Sequence, residues 1–134
     1  MGLDNGISIK RTSFSSTLEE LKQFETIYDK EHEYDFSICY WRKCWNVRNR
    51  ILNALYILEP NDSYTILSID DIDTIIDILK SFNSENWDDY GGSIWDWTDG
   101  IDEKMQYDIA NLEQLKIIKE RYENSIEIYF YNSW

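Results

Sequence analysis

Between Glu59 and Glu103 the chain places thirteen of its twenty-six carboxylates and a single cation, Lys80. That stretch carries a formal charge of −12, against −13 for the whole chain; residues 1–58 hold eight acids and eight bases, and residues 104–134 come to −1. Carboxylates without counter-charge repel one another and are not buried unpaired. Any fold the chain adopts must therefore spread these acids over its surface. Inside the stretch, Trp87, Asp88, Asp89, Trp95, Asp96 and Trp97 set three of the six tryptophans among acids, with no base nearby in sequence. Aromatic anchors ringed by charge are what a binding surface needs. The same residues also fit a solvated acidic face whose tryptophans turn into the core.

At 134 residues the chain has the size of one domain, and we read residues 1–134 as such. Its 43% hydrophobic and 16% aromatic content is enough for a core and argues against disorder despite the charge. A pI near 4.3 disfavours direct contact with nucleic acid or an anionic membrane and favours basic partners. No run approaches the length of apolar sequence that crosses a bilayer, and no signal peptide is visible, so a cytoplasmic protein is expected.

The hydrophobic pattern predicts an α+β fold: a small antiparallel sheet of two to four strands that includes both chain ends, packed with about four helices. Ile7-Ser8-Ile9-Lys10-Arg11 alternates as a first strand. Ser16-Thr17-Leu18-Glu19 has the form of a capping box, and Leu18, Leu21, Phe24 and Tyr28 follow at helical spacing, with a loop over 29–36. A long helix is expected from Asp35 to Leu58, with Trp41, Trp45, Arg48, Leu52 and Leu55 on one stripe, ended by Pro60. Tyr64 to Leu67 reads as a short strand. Ser68, with Asp71 at its third position, caps a helix whose Ile69, Ile72, Ile76 and Leu79 face the core and whose Asp70, Asp73 and Asp77 face outward. Asp99 or Asp102 caps a further helix over 102–123, and residues 125–131 close as a strand with Ile126, Ile128 and Phe130 on one face.

Catalytic signatures are sparse. His32 is the one histidine and stands in a charged run; Cys39 and Cys44 have no base beside them and no zinc-binding spacing; a nucleophile elbow and a phosphate-loop lysine are both missing. Asp88, Asp89, Asp96, Asp99 and Asp102 supply oxygen ligands for Mg²⁺ or Ca²⁺ in number, but without the calcium-loop spacing. We expect no cofactor and no bound metal. A basic set stands against the acids: Lys10 and Arg11 on the first strand, and Arg42, Lys43, Arg48 and Arg50 on the long helix beside Tyr40 and Trp41. Arginine forks next to an aromatic face are the parts that hold a phosphate and stack a base. Paired internally, the same cations neutralise nearby acids.

Met1-Gly2-Leu3-Asp4 at the start, Tyr40-Trp41-Arg42-Lys43 in the middle and Tyr131-Asn132-Ser133-Trp134 at the end form an ordered pattern. It resembles a family of small, uncharacterised phage and prophage proteins that begin with this tetrapeptide, carry this central motif and finish in an aromatic segment ending Ser-Trp. The resemblance spans the chain and carries no activity or ligand residue with it. It implies a phage-borne accessory protein. With the charge, it points to an inhibitor of a host defence protein, of the anti-CRISPR or anti-restriction kind, that acts in the host cytoplasm. Its acidic aromatic surface (Trp87, Asp88, Asp89, Trp95, Asp96, Trp97) would dock on a basic one. The alternative is a binder of a nucleotide signal using Arg42, Lys43, Arg48 and Trp41. A metal-dependent hydrolase built on the aspartates is the lesser alternative. The final Trp134 is expected to be buried, with its carboxylate paired to Arg42 or Lys43.

Overall fold

The computed structural model describes residues 4–42, 45–57, 63–82 and 101–133. Four strands, β1 (Asp4–Ile9), β2 (Phe36–Arg42), β3 (Ser63–Ile66) and β4 (Ile128–Ser133), form one antiparallel sheet in the order β2-β1-β4-β3. Among the described residues there are four α-helices, α1 (Ile27–His32), α2 (Trp45–Ala54), α3 (Ile69–Lys80) and α4 (Ile101–Tyr122), with 3₁₀ turns at Ser15–Thr17, Glu19–Phe24 and Glu123–Ser125. The fold is therefore α+β, with the first and last strands side by side at the middle of the sheet.

Alternation along the strands decides which face is covered. Ile7, Ile9, Phe36, Cys39, Trp41, Ile128 and Phe130 are buried on one face, where α2, α3 and α4 supply Ile51, Ile72, Ile75, Leu79, Leu112 and Leu115. Each such side chain withdrawn from water contributes about 2 kcal/mol. Helix α3 packs on both α2 and α4, and α4 reaches β2. The opposite face carries Ser8, Tyr40, Tyr64, Ile66, Tyr129 and Tyr131. The register of β1 against β2 shifts between Ile7 and Ser8. Ile38 is the extra residue, and both it and Cys39 are buried.

Several elements differ from expectation. The chain from Asp35 to Leu58 is not one helix: residues 36–42 are strand β2, and the helix begins at Trp45. Phe36, Ile38, Tyr40 and Trp41 suit a pleated surface, and β1 offers a partner that local spacing could not reveal. The Ser16 box does not form. Thr17 Oγ1 donates to its own turn at Phe14 O (2.7 Å), and Ser16 Oγ accepts from Arg11. The capping box lies ten residues on instead: Thr26 Oγ1 accepts from Asp29 N–H, and Asp29 accepts from Thr26 N–H, so α1 occupies part of the expected loop. Lys10 and Arg11 follow β1 rather than belonging to it. Asp102 lies inside α4 and is not its cap; Asp99 and Trp134 lie outside the described residues. The box at Ser68 forms as predicted, Ser68 Oγ accepting from Asp71 N–H at 3.2 Å and Asp71 Oδ2 from Ser68 N–H at 3.0 Å.

Gly6 sits where β1 is flanked on both sides. A Cβ there would stand 2.2 Å from the Cys39 carbonyl oxygen and 2.8 Å from the Tyr131 hydroxyl. The first of these is backbone and cannot swing aside. Gly6→Ala should therefore destabilise the fold by about 3 kcal/mol in urea unfolding; a loss below about 1 kcal/mol would show that β1 and β2 separate easily at this point.

Candidate functional site

The six residues of the acidic aromatic segment, Trp87, Asp88, Asp89, Trp95, Asp96 and Trp97, lie outside the described residues. The described part of the acidic stretch comprises β3, α3 and the start of α4, and α3 carries four of its aspartates. The isoleucines of α3 take the core side, which leaves its aspartates outward: Asp70 and Asp77 are exposed and Asp73 is half-buried. Asp70 and Asp71 stand in the first turn, where carboxylates favour the helix dipole, and Asp71 also completes the cap. The facing cation on α4, Lys116, is ion-paired with Asp73. The hydrogen bond to Asp73 raises the Lys116 pKa; burial opposes it, and the charges of Asp73, Glu120 and Glu113 add to the rise. Asp70 and Asp77 have no such pairing among the described residues.

Lys10 and Arg11 lie apart from Arg42. Arg42 pairs with Asp4 in the strand register, whereas Lys10 and Arg11 follow Ile9, so β1 holds them about 17 Å or more apart. Arg11 is built into the fold: Nε donates to Tyr34 O (2.7 Å), Nη2 to Glu25 Oε2 (2.5 Å), and the guanidinium lies 4.4 Å from the Phe36 ring centre. Arg50 donates to Ser81 Oγ (2.8 Å) and stacks on Phe82. Arg48, only 6% exposed, donates from Nε to Asn132 Oδ1 (2.7 Å) and from Nη1 to Asn49 Oδ1 (2.8 Å). Both of these acceptors are amide oxygens. Burial pulls its pKa down from the usual arginine value. Lys43 lies outside the described residues.

Trp41, expected on a helix beside these cations, is fully buried on β2. Its indole N–H donates to Asp108 Oδ2 at 3.0 Å, and Lys104 Nζ donates to Asp108 Oδ1 at 2.6 Å. Asp108 is itself fully buried. Loss of solvent drives its pKa up, while Lys104 and the Trp41 hydrogen bond pull it back in part. Cys39 lies alongside, its thiol donating to the Asp108 carbonyl at 3.9 Å. Burial, and then the Asp108 charge, push that thiol well above the usual range, so it stays protonated and is not a nucleophile. Asp108 was missed in the sequence, although a signal was there: it is the charged residue three after Met105 and four before Leu112, on the apolar stripe of α4.

His32 is exposed, with Nδ1 2.9 Å from Tyr28 O and its ring against Tyr28 and Tyr34. Among the described residues, no three His, Cys, Asp or Glu side chains are grouped to hold a metal ion, and no helix is long and apolar enough to cross a membrane. Comparison with protein-family models, with curated proteins and with solved structures returns no match.

Removing the Asp108 carboxylate would leave a fully buried indole N–H unpaired and take an ion-pair partner from the half-buried Lys104 ammonium. Asp108→Ala should cost about 3 kcal/mol in urea unfolding; a loss under about 1 kcal/mol would show that water replaces the carboxylate. A second expectation concerns pH. Because the Asp108 pKa is raised on folding, the folded chain takes up this proton before the unfolded chain does. The group's contribution to stability is thus full at low pH and is lost as pH rises through the raised value. The wild-type chain should gain on Asp108→Asn as pH falls toward the ordinary aspartate range. A constant difference between the two would contradict the raised value.

Proposed function

We propose that the protein works by non-covalent binding, as a phage- or prophage-borne accessory protein that inhibits a host defence protein by covering a basic surface of its target. The observation that carries this reading is the segregation of charge. Residues 59–103 hold −12 of the −13, and their described portion includes a helix with Asp70 and Asp77 exposed and with the facing lysine already paired. Such a field steers a basic partner into encounter, and carboxylates stand in for the phosphates that such a partner normally holds. The tryptophans at 87, 95 and 97 would supply the anchors that turn encounter into a lasting complex.

The nucleotide-binding alternative has less support. Trp41 offers no open ring to a base, Arg48 is turned into the fold, and Arg42 stands at the far end of β1 from Lys10 and Arg11.

A tagged pull-down from host lysate at moderate salt, read by mass spectrometry, should yield a stoichiometric protein with a basic surface that washes off as salt rises. Reversing charge at Asp70 and Asp77, or at Asp88 and Asp89, should slow association by about tenfold and flatten its salt dependence. Unchanged rates in both pairs would remove the acidic surface from the mechanism. A bound nucleotide without a protein would move the function to the cations.

A further inference from the structure

Among the described residues, strand β3 lies at the edge of the sheet with its outer side facing away from every other strand. Leu67 N–H donates to Ile128 O at 2.8 Å, which sets the parity of the strand: Ser63, Thr65 and Leu67 turn their main chain toward β4, and Tyr64 and Ile66 turn theirs outward. The side chains of these two residues stand on the uncovered face, 66% and 51% exposed. Tyr129 lies beside them, its ring 5.3 Å from that of Tyr64 in an edge-to-face contact. Its hydroxyl donates to Asp35 Oδ2, and burial with that bond holds the phenol pKa well above its usual value, so it stays a neutral aromatic wall. Tyr64 and Tyr129 line a cleft of about 280 Å³ with Lys10, Arg11, Asp35 and Glu127.

Sheet proteins protect an edge of this kind with a lysine, a proline or a bulge, or by covering it. Ser63-Tyr64-Thr65-Ile66 contains neither lysine nor proline, and its pairing with β4 is regular. The edge thus offers outward main-chain donors and acceptors next to an aromatic floor, the two parts that strand addition uses.

We propose that this edge takes an extended, cationic segment of the partner as a fifth strand. The proposal rests on the binding reading above and states how the partner is held. The choice of occupant follows from charge. A chain of −13 repels a second copy of itself, which would be the other ready source of a strand, and it attracts lysine- and arginine-rich sequence. Every second side chain of the added strand falls on the face of Tyr64, Ile66 and Tyr129. There a guanidinium or ammonium group gains the face of the Tyr64 ring, and exposed Asp70 begins the acidic helix four residues beyond Ile66.

The test uses a short synthetic peptide that alternates lysine with threonine and valine, and its counterpart with glutamate for lysine. Binding to the whole chain is followed by fluorescence anisotropy and by amide exchange. Ile66→Pro deletes an outward N–H and breaks no bond to β4, and proline is tolerated at such an edge position. Ile66→Lys keeps the backbone and places a cation at the edge, so it serves where the proline variant fails to fold. The lysine peptide should bind, slow the exchange of the Tyr64 and Ile66 amides, and lose about tenfold in affinity in either variant. Equal binding by wild type and variants would overturn the edge proposal and leave the acidic surface as the binding element. Binding of the glutamate peptide as tightly as the lysine peptide, or of neither, would overturn it too. Dimerisation that disappears in Ile66→Pro would assign the edge to a second copy.

Discussion

Strand β1 is hydrogen-bonded along both of its edges, and the rest of the fold depends on that double pairing. It joins residues 4–9 to residues 36–42 on one side and to residues 128–133 on the other. The second pairing spans nearly the whole chain, so the loop it closes costs entropy that only a shared core offsets. Ile7 and Ile9 begin that core, with Cys39 and Phe36 on one side and Phe130 and Ile128 on the other. The absence of a side chain at Gly6 is what lets β2 and the Tyr131 ring approach together. Until these three strands meet, the helices have no apolar surface to cover.

Buried polar links then set where the helices lie on the sheet. The indole of Trp41 and the ammonium of Lys104 share one carboxylate, which ties α4 to β2. The guanidinium of Arg48 on Asn132 ties α2 to β4, and Asn5 Nδ2 donates to Trp41 O (2.9 Å) in the same polar layer. An apolar core tolerates many arrangements of side chains of the right size. Hydrogen bonds between buried groups tolerate few, because each broken one leaves a desolvated atom.

These links also divide the surface by chemistry. Charge collects on the outer side of α3 and α4, while tyrosines collect on the sheet face that the described helices leave open. The cations that seemed free to form a pocket are taken up in holding the fold: Arg11 by Glu25 and Tyr34, Arg50 by Ser81 and Phe82, Arg48 by two amides. Among the described residues, an acidic helix and an aromatic sheet edge stay exposed, the two surfaces on which the proposed binding of a basic polypeptide rests.

The sequence by itself determined the elements whose signals are local. Ser68 and Asp71 cap α3, Ile72, Ile76 and Leu79 mark its buried side (Ile75 joins them, while Ile69 is only half-buried), and α4 falls within one residue of the range its periodicity predicts. It also determined the outward placement of Asp70 and Asp77 on α3, because carboxylates without counter-charge are not buried. Tertiary structure decided the rest. Trp41, Trp45, Arg48 and Leu52 have helical spacing, yet Trp41 belongs to a strand, since its partner Asn5 on β1 lies thirty-six residues away and no local period contains it. The same holds for which cations stay exposed and which sheet edge stays open. Those outcomes depend on partners distant in sequence, and hydrogen bonding and burial choose them only once the chain has closed on itself.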